Sequence, residues 1–193
     1  MNTLILLSGG LDSTTCLVRM LKETDDDIMV HYIYYINKEG RYDAEKEAVN
    51  KIVPYCKKIR DFKYTESVQD YSQIGVPYDL HVTRFTAAQI CRYNEIDRVI
   101  TVRCANDYQD LTSSEKIFYT CLAECPRKIE WYFPNQHLTK KDEMEYLKKE
   151  TPELLEFIHS CRRPIKENDK WKECKKCSTC LETLNTLLDF HLL

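Results

Sequence analysis

A short apolar run, Leu4-Ile5-Leu6-Leu7, stops at Ser8-Gly9-Gly10. A helical pattern then opens with Leu11-Asp12-Ser13-Thr14-Thr15. The chain has four glycines, and two of them stand side by side in this turn. Glycine tolerates a left-handed backbone and lets a ligand approach the main chain closely. A buried strand feeding a tight turn and then a helix N-terminus makes an anion site, because the first N–H groups of the helix lack partners and the helix dipole favours negative charge there.

The chain alternates strand and helix patterns. Strands are expected at residues 3–7, 28–35, 62–64, 98–103 and 128–133. Helices are expected at 13–23, 42–58, 83–93, 114–124, 140–149, 151–160 and 178–190, with Pro54 kinking or ending the second. Residues 66–80 contain Gly75 and Pro77 and read as loop, and 162–173 as a charged loop. Thr139 and Asp142 have the spacing of a capping box. Such alternation indicates βαβ units and an α/β, Rossmann-like parallel sheet of about five strands with helices on both faces. Such sheets bind ligands beyond the carboxyl ends of their strands, where the Ser8–Ser13 turn falls. At 193 residues one domain is expected, with 150–193 a C-terminal helical, zinc-binding subdomain.

Composition narrows the class. Twenty-eight basic and 31 acidic residues give a net charge of −3, so no direct nucleic-acid partner is expected. No apolar run is long enough to cross a bilayer and no signal peptide opens the chain, so the cytoplasm is the expected setting. Ten cysteines in such a chain point to reduced thiols or metal ligation. Six (Cys16, Cys56, Cys91, Cys104, Cys121 and Cys125) are scattered and read as small buried hydrophobes. The other four, Cys161, Cys174, Cys177 and Cys180, can supply four thiolates to one metal. A closed tetrahedral zinc site is the first expectation and an iron–sulfur cluster the second.

The turn lacks the Walker lysine and is not a G-x-G-x-x-G dinucleotide turn. Ser8-Gly9-Gly10-Leu11-Asp12-Ser13 resembles the PP-loop, SGGxDS, of the ATP pyrophosphatase superfamily. The resemblance implies ATP cleaved between its α and β phosphates. Ser8, Gly9, Gly10, Leu11, Ser13 and Thr14 would hold the phosphates, and Asp12 would help to hold magnesium. A carboxylate in an anion site makes sense mainly beside a cation.

Together with the four cysteines, the loop is similar to the opening of the 7-cyano-7-deazaguanine synthase (QueC) family. Gly40-Arg41-Tyr42-Asp43-Ala44-Glu45 resembles that family's Tyr-Gly-Gln-Arg-His-x-x-Glu region, His137-Leu138-Thr139-Lys140 its Leu-Thr-Lys segment, and Ser160-Cys161 its Ser-Cys. The resemblance implies ATP, magnesium and zinc as cofactors, with 7-carboxy-7-deazaguanine and ammonia as substrates. The carboxylate is adenylated, ammonia displaces AMP, and a second activation dehydrates the amide to the nitrile. Asp12, Ser13 and Lys140 would be catalytic. Arg41, Arg84, Asp107 and Asp110 would contact the substrate. The family's Gly-Tyr-Pro substrate segment is replaced here by Asn106–Ser113. Alternatives are a PP-loop enzyme that stops at an amide or adenylates another acceptor, and a non-catalytic nucleotide- or deazapurine-binding relative. The resemblance also implies a homodimer.

Overall fold

The computed structural model describes residues 1–75, 79–100, 102, 111–122 and 127–189. Its main sheet has five parallel strands in the order β3-β2-β1-β4-β5. These are β1 (Asn2–Leu6), β2 (Asp27–Ile36), β3 (Lys63–Asp70), β4 (Arg98–Ile100) and β5 (Glu130–Tyr132). The connecting helices are α1 (Leu11–Glu23), α2 (Tyr42–Ile59), α3 (Asp79–Tyr93) and α4 (Leu111–Cys121). The chain order reverses between β1 and β4, so the carboxyl end of β1 stands at the topological switch point, the favoured ligand position in open α/β sheets.

Both faces of the sheet are covered, which is why β1 is a continuous apolar run. Leu4 and Ile5 are both fully buried but enter different cores. Ile5 and Val30 join Leu17, Val18, Val49 and Ile52 from α1 and α2, with Leu147 from α5 (Lys140–Glu150) beside them. Leu4 and Met29 join Ala87, Ala88, Cys91, Val99 and Phe118 on the α3–α4 side. Each fully buried large apolar side chain is worth about 1.5–3 kcal/mol relative to exposure. Cys16, Cys56 and Cys91 are fully buried in these cores, as expected of small hydrophobes, and Cys121 packs at the edge of one. Cys104 and Cys125 lie outside the described residues.

Four stretches differ from the sequence reading. Residues 63–70, expected to be mostly loop, form an eight-residue strand paired along β2 from Met29 to Ile36. As an edge strand with half of its residues exposed, β3 carries polar side chains and shows no apolar run. Helix α2 continues through Pro54 to Ile59. Pro54 and Asn50 both lie on the exposed face, where water serves the carbonyl that the ring deprives of a partner. Residues 151–160 hold only a 3-10 turn at Pro152–Glu156. Beyond it, the expected charged loop carries an antiparallel hairpin, β6 (Ile165–Glu167) and β7 (Lys170–Lys172), before α6 (Ser178–Asp189). Among the described residues no helix is long and apolar enough to cross a membrane.

The turn after β1 is seated on α2. Gly9 has φ +78°, and a Cβ there would lie 3.0 Å from Ala48 Cβ and 3.2 Å from the Glu45 carbonyl oxygen. Gly40 has φ +72°, and a Cβ there would meet nothing within 4 Å. Gly9→Ala therefore combines backbone strain with a clash against helix backbone, whereas Gly40→Ala carries the strain alone. In urea unfolding, Gly40→Ala should cost about 1–2 kcal/mol and Gly9→Ala distinctly more, about 2–4 kcal/mol. Equal losses would show that α2 yields to the added methyl.

Candidate active site and metal centre

The loop is organised by its own hydroxyls. Ser13 Oγ accepts from the Ser8 N–H at 3.2 Å, lies 3.0 Å from Ser8 Oγ, and reaches the Gly10 carbonyl at 3.3 Å. Gly10 is the N-cap of α1 and makes no side-chain cap. The cap comes instead from far along the chain. The Leu11 N–H donates to Ser160 Oγ at 3.0 Å, and the His159 N–H donates to the Gly9 carbonyl at 2.9 Å. Residues 159–160 thus form a strap across the glycine turn, one residue before Cys161.

Asp12, in the first turn of α1, forms an ion pair with Lys140. Lys140 is the first residue of α5, held there by the capping box of Thr139 and Asp142 that the spacing predicted. One turn on, Glu143 is fully buried and accepts from Asn135 Nδ2 at 2.9 Å, while Asn135 Oδ1 accepts from Arg19 at 3.0 Å. Burial, and then the neighbouring Asp12 carboxylate, push the Glu143 carboxyl well above the ordinary carboxylate range.

A cavity of about 310 Å³ opens from this loop along the carboxyl ends of β1, β2 and β4. Ser8, Gly10, Leu11, Asp12, Ser13 and Lys140 line one end. Apolar and aromatic groups, including Leu6, Tyr32, Ile33, Ile100 and Val102, line its wall. Arg41, Glu45, Asp79, Arg84 and Arg162 line the other part. Arg84 is buried, with its guanidinium 4.7 Å from the centre of the Trp131 ring. Arg41 meets Asp79 at 2.8 Å, Glu45 at 3.2 Å and Glu39 at 3.4 Å, and Arg162 meets Glu39 at 3.3 Å and Asp79 at 3.2 Å. Burial pushes the Glu45 carboxyl up to about 7, against the opposing pull of Arg41.

Of the residues singled out in the sequence, the loop, Lys140, Arg41 and Arg84 are gathered around this cavity, except that Gly9 and Thr14 are packed behind it. Asp107 and Asp110 lie outside the described residues. The sequence reading assigned no role to Glu45, Asp79, Glu143, Ser160 or Arg162. The position of Glu45, four residues after Arg41 in a helix, was a legible signal, since such pairs share a face.

The four clustered cysteines converge. Their sulfur atoms all lie within 4.8 Å of one another, with Cys161–Cys177 and Cys174–Cys180 at 4.0 Å. Backbone N–H groups of Arg163, Cys174, Lys176 and Cys177 point at the sulfurs from 3.3–3.4 Å. Lys175, in the Cys174–Cys177 turn, is left-handed at φ 55°. This donor set fits a metal held by four thiolates, since N–H donors stabilise thiolate charge.

Residues 2–76, which hold β1, α1, β2, α2 and β3, match the model of the family described as queuosine biosynthesis protein QueC. Among solved structures, the U34-tRNA thiolase NcsA from Methanococcus maripaludis, determined with its 4Fe-4S cluster, superposes with a TM-score of 0.56 at 12% identity. The match covers 100% of this chain, and the chain spans 65% of that protein's length. A universal stress protein in complex with cAMP superposes at a TM-score of 0.38 and 9% identity, over 70% of this chain and 96% of the other, too weakly to carry an argument. No curated protein matches the sequence. The segment that carries the loop is thus similar to the QueC family, and the chain as a whole shares its fold with NcsA.

Proposed function

We propose that this chain is an ATP-dependent ligase that converts 7-carboxy-7-deazaguanine and ammonia to 7-cyano-7-deazaguanine through an adenylated carboxylate and an amide, releasing AMP and pyrophosphate. The coarser part of this reading, an ATP-using PP-loop enzyme, is supported by the family match and the fold. The single observation that carries it is the cavity. One end is a glycine turn with a carboxylate and a lysine, and the same cavity reaches Arg41 and Arg84, two guanidiniums placed for a second reactant.

The chemistry suits such a cavity. A carboxylate is a poor electrophile, and adenylation gives it a good leaving group. The free N–H groups at the start of α1 and the Lys140 ammonium would stabilise phosphate charge, and Asp12 would hold magnesium between them. Bound magnesium would neutralise the departing pyrophosphate. Arg84 or Arg41 would orient the substrate carboxylate, since the guanidinium fork matches that geometry. Holding both reactants in one cavity supplies much of the rate.

For the four thiolates we propose zinc. Zn–S bonds of about 2.3 Å set sulfur–sulfur edges of about 3.8 Å in a tetrahedron. The 4.0 Å pairs observed here lie near that value. A cubane iron–sulfur cluster holds its thiolates apart on the corners of a larger body, and its ligands would need to spread.

Supplied with ATP, 7-carboxy-7-deazaguanine and ammonium, the protein should release AMP and pyrophosphate and yield a product with the mass of the nitrile; a product that stays at the amide would shorten the reaction by its last step. Asp12→Asn should lower pyrophosphate release by about 100-fold or more with an unchanged unfolding midpoint; undiminished release would remove Asp12 from the machinery. Elemental analysis of protein purified without oxygen should find one zinc per chain and no acid-labile sulfide. Several irons with matching sulfide would replace zinc by a cluster.

A further inference from the structure

The part of the cavity away from the phosphate loop holds an unusual group of charges. Glu45 lies on α2 and is 9% exposed. Arg41 faces it from the start of the same helix, Glu39 from the turn before it, Asp79 from the start of α3, and Arg162 from the segment after Cys161. Tyr32 lies beside it on β2. Three carboxylates therefore meet two guanidiniums, and full ionisation would leave an excess negative charge in a buried place. Such a place favours either a proton or a small cation.

The pairing of Glu45 leaves its carboxylate free to exchange. Arg41 Nε is buried and lies 3.2 Å from Glu45 Oε1, yet it makes no aligned hydrogen bond. Arg41 directs its aligned bond to Asp79 at 2.8 Å instead. Glu45 is thus held by charge rather than locked by a donor, and it lines the same cavity as the phosphate loop.

We propose that Glu45 is the proton acceptor that converts bound ammonium to the attacking ammonia in the amide-forming step. This role rests on the adenylation reading above. Ammonium has no lone pair and cannot attack carbon. Glu45 takes one proton from it, and the freed lone pair forms the N–C bond to the adenylated carboxyl carbon. The C–O bond to AMP breaks with its electron pair on the phosphate oxygen, which receives a second proton from the nitrogen. Glu45 then returns its proton to solvent. A carboxyl group that titrates near neutrality is suited to this exchange, and burial beside Asp79 and Glu39 gives Glu45 that property.

The test compares ammonium with hydroxylamine, a nucleophile that is already unprotonated at neutral pH. Glu45→Gln should retain exchange of labelled pyrophosphate into ATP with 7-carboxy-7-deazaguanine, which shows that the variant folds and adenylates. Its amide formation from ammonium should fall by about 100-fold or more, while turnover with hydroxylamine stays within about fivefold of native. In the native protein, amide formation per ammonium should rise with pH through about 7 and then level off, because the acceptor must be ionised. The hydroxylamine rate should be flat over the same range. Equal losses with both nucleophiles would make Glu45 a structural partner of Arg41 and overturn the role, as would an unchanged ammonium rate. A native ammonium rate that climbs without levelling, in step with free ammonia, would overturn it without any variant. Absence of pyrophosphate exchange in the native protein would instead remove the adenylation reading itself.

Discussion

The seating of the Ser8–Ser13 turn between α2 and the strap at His159–Ser160 is the contact on which the rest of the site depends. On one side the backbone at Gly9 lies so close to α2 that an added Cβ would press on Ala48 and the Glu45 carbonyl. On the other, Ser160 Oγ caps the Leu11 N–H and His159 bonds the Gly9 carbonyl. Fixing the turn fixes the direction of α1, and with it the positions of Asp12 and the free N–H groups. The same contact sets where Glu45 stands, because Glu45 belongs to the helix turn that Gly9 touches. The glycine-turn end and the charged end of the cavity are therefore built against one another.

Charge burial is the second constraint. Removing ions from water is expensive, and a protein meets that cost by pairing or by neutralisation. This chain uses both. Arg41 and Arg162 are paired with Glu39, Glu45 and Asp79. Glu143, beside the Asp12–Lys140 pair, is pushed by burial toward its neutral form and held by Asn135.

Much of this was legible in the sequence. The apolar run into a glycine pair located β1, the turn and α1, and Thr139 with Asp142 located the start of α5 and so Lys140. The cysteine spacing anticipated the convergence of four sulfurs. The readings that failed did so for physical reasons. β3 is an edge strand whose stabilisation comes from backbone pairing with β2, a non-local term that leaves no apolar alternation to read. The hairpin after Cys161 is short and exposed, so its residues carry no burial pattern. Ser160 caps a helix 149 residues away, and Asp79 meets both Arg41 and Arg162 across long gaps in the chain. Periodicity speaks only of neighbours in the chain, so contacts of this kind are invisible to it.

The strap ties two distant pieces of chemistry by a single peptide unit. Ser160 caps the start of α1 while Cys161, the next residue, faces three other sulfurs. A hydrogen bond of 3.0 Å tolerates only a few tenths of an ångström before it weakens. The four-cysteine cluster and the glycine turn therefore share one mechanical tolerance. The first and last thirds of the polypeptide are registered against each other at that point, and the sheet alone would not align them.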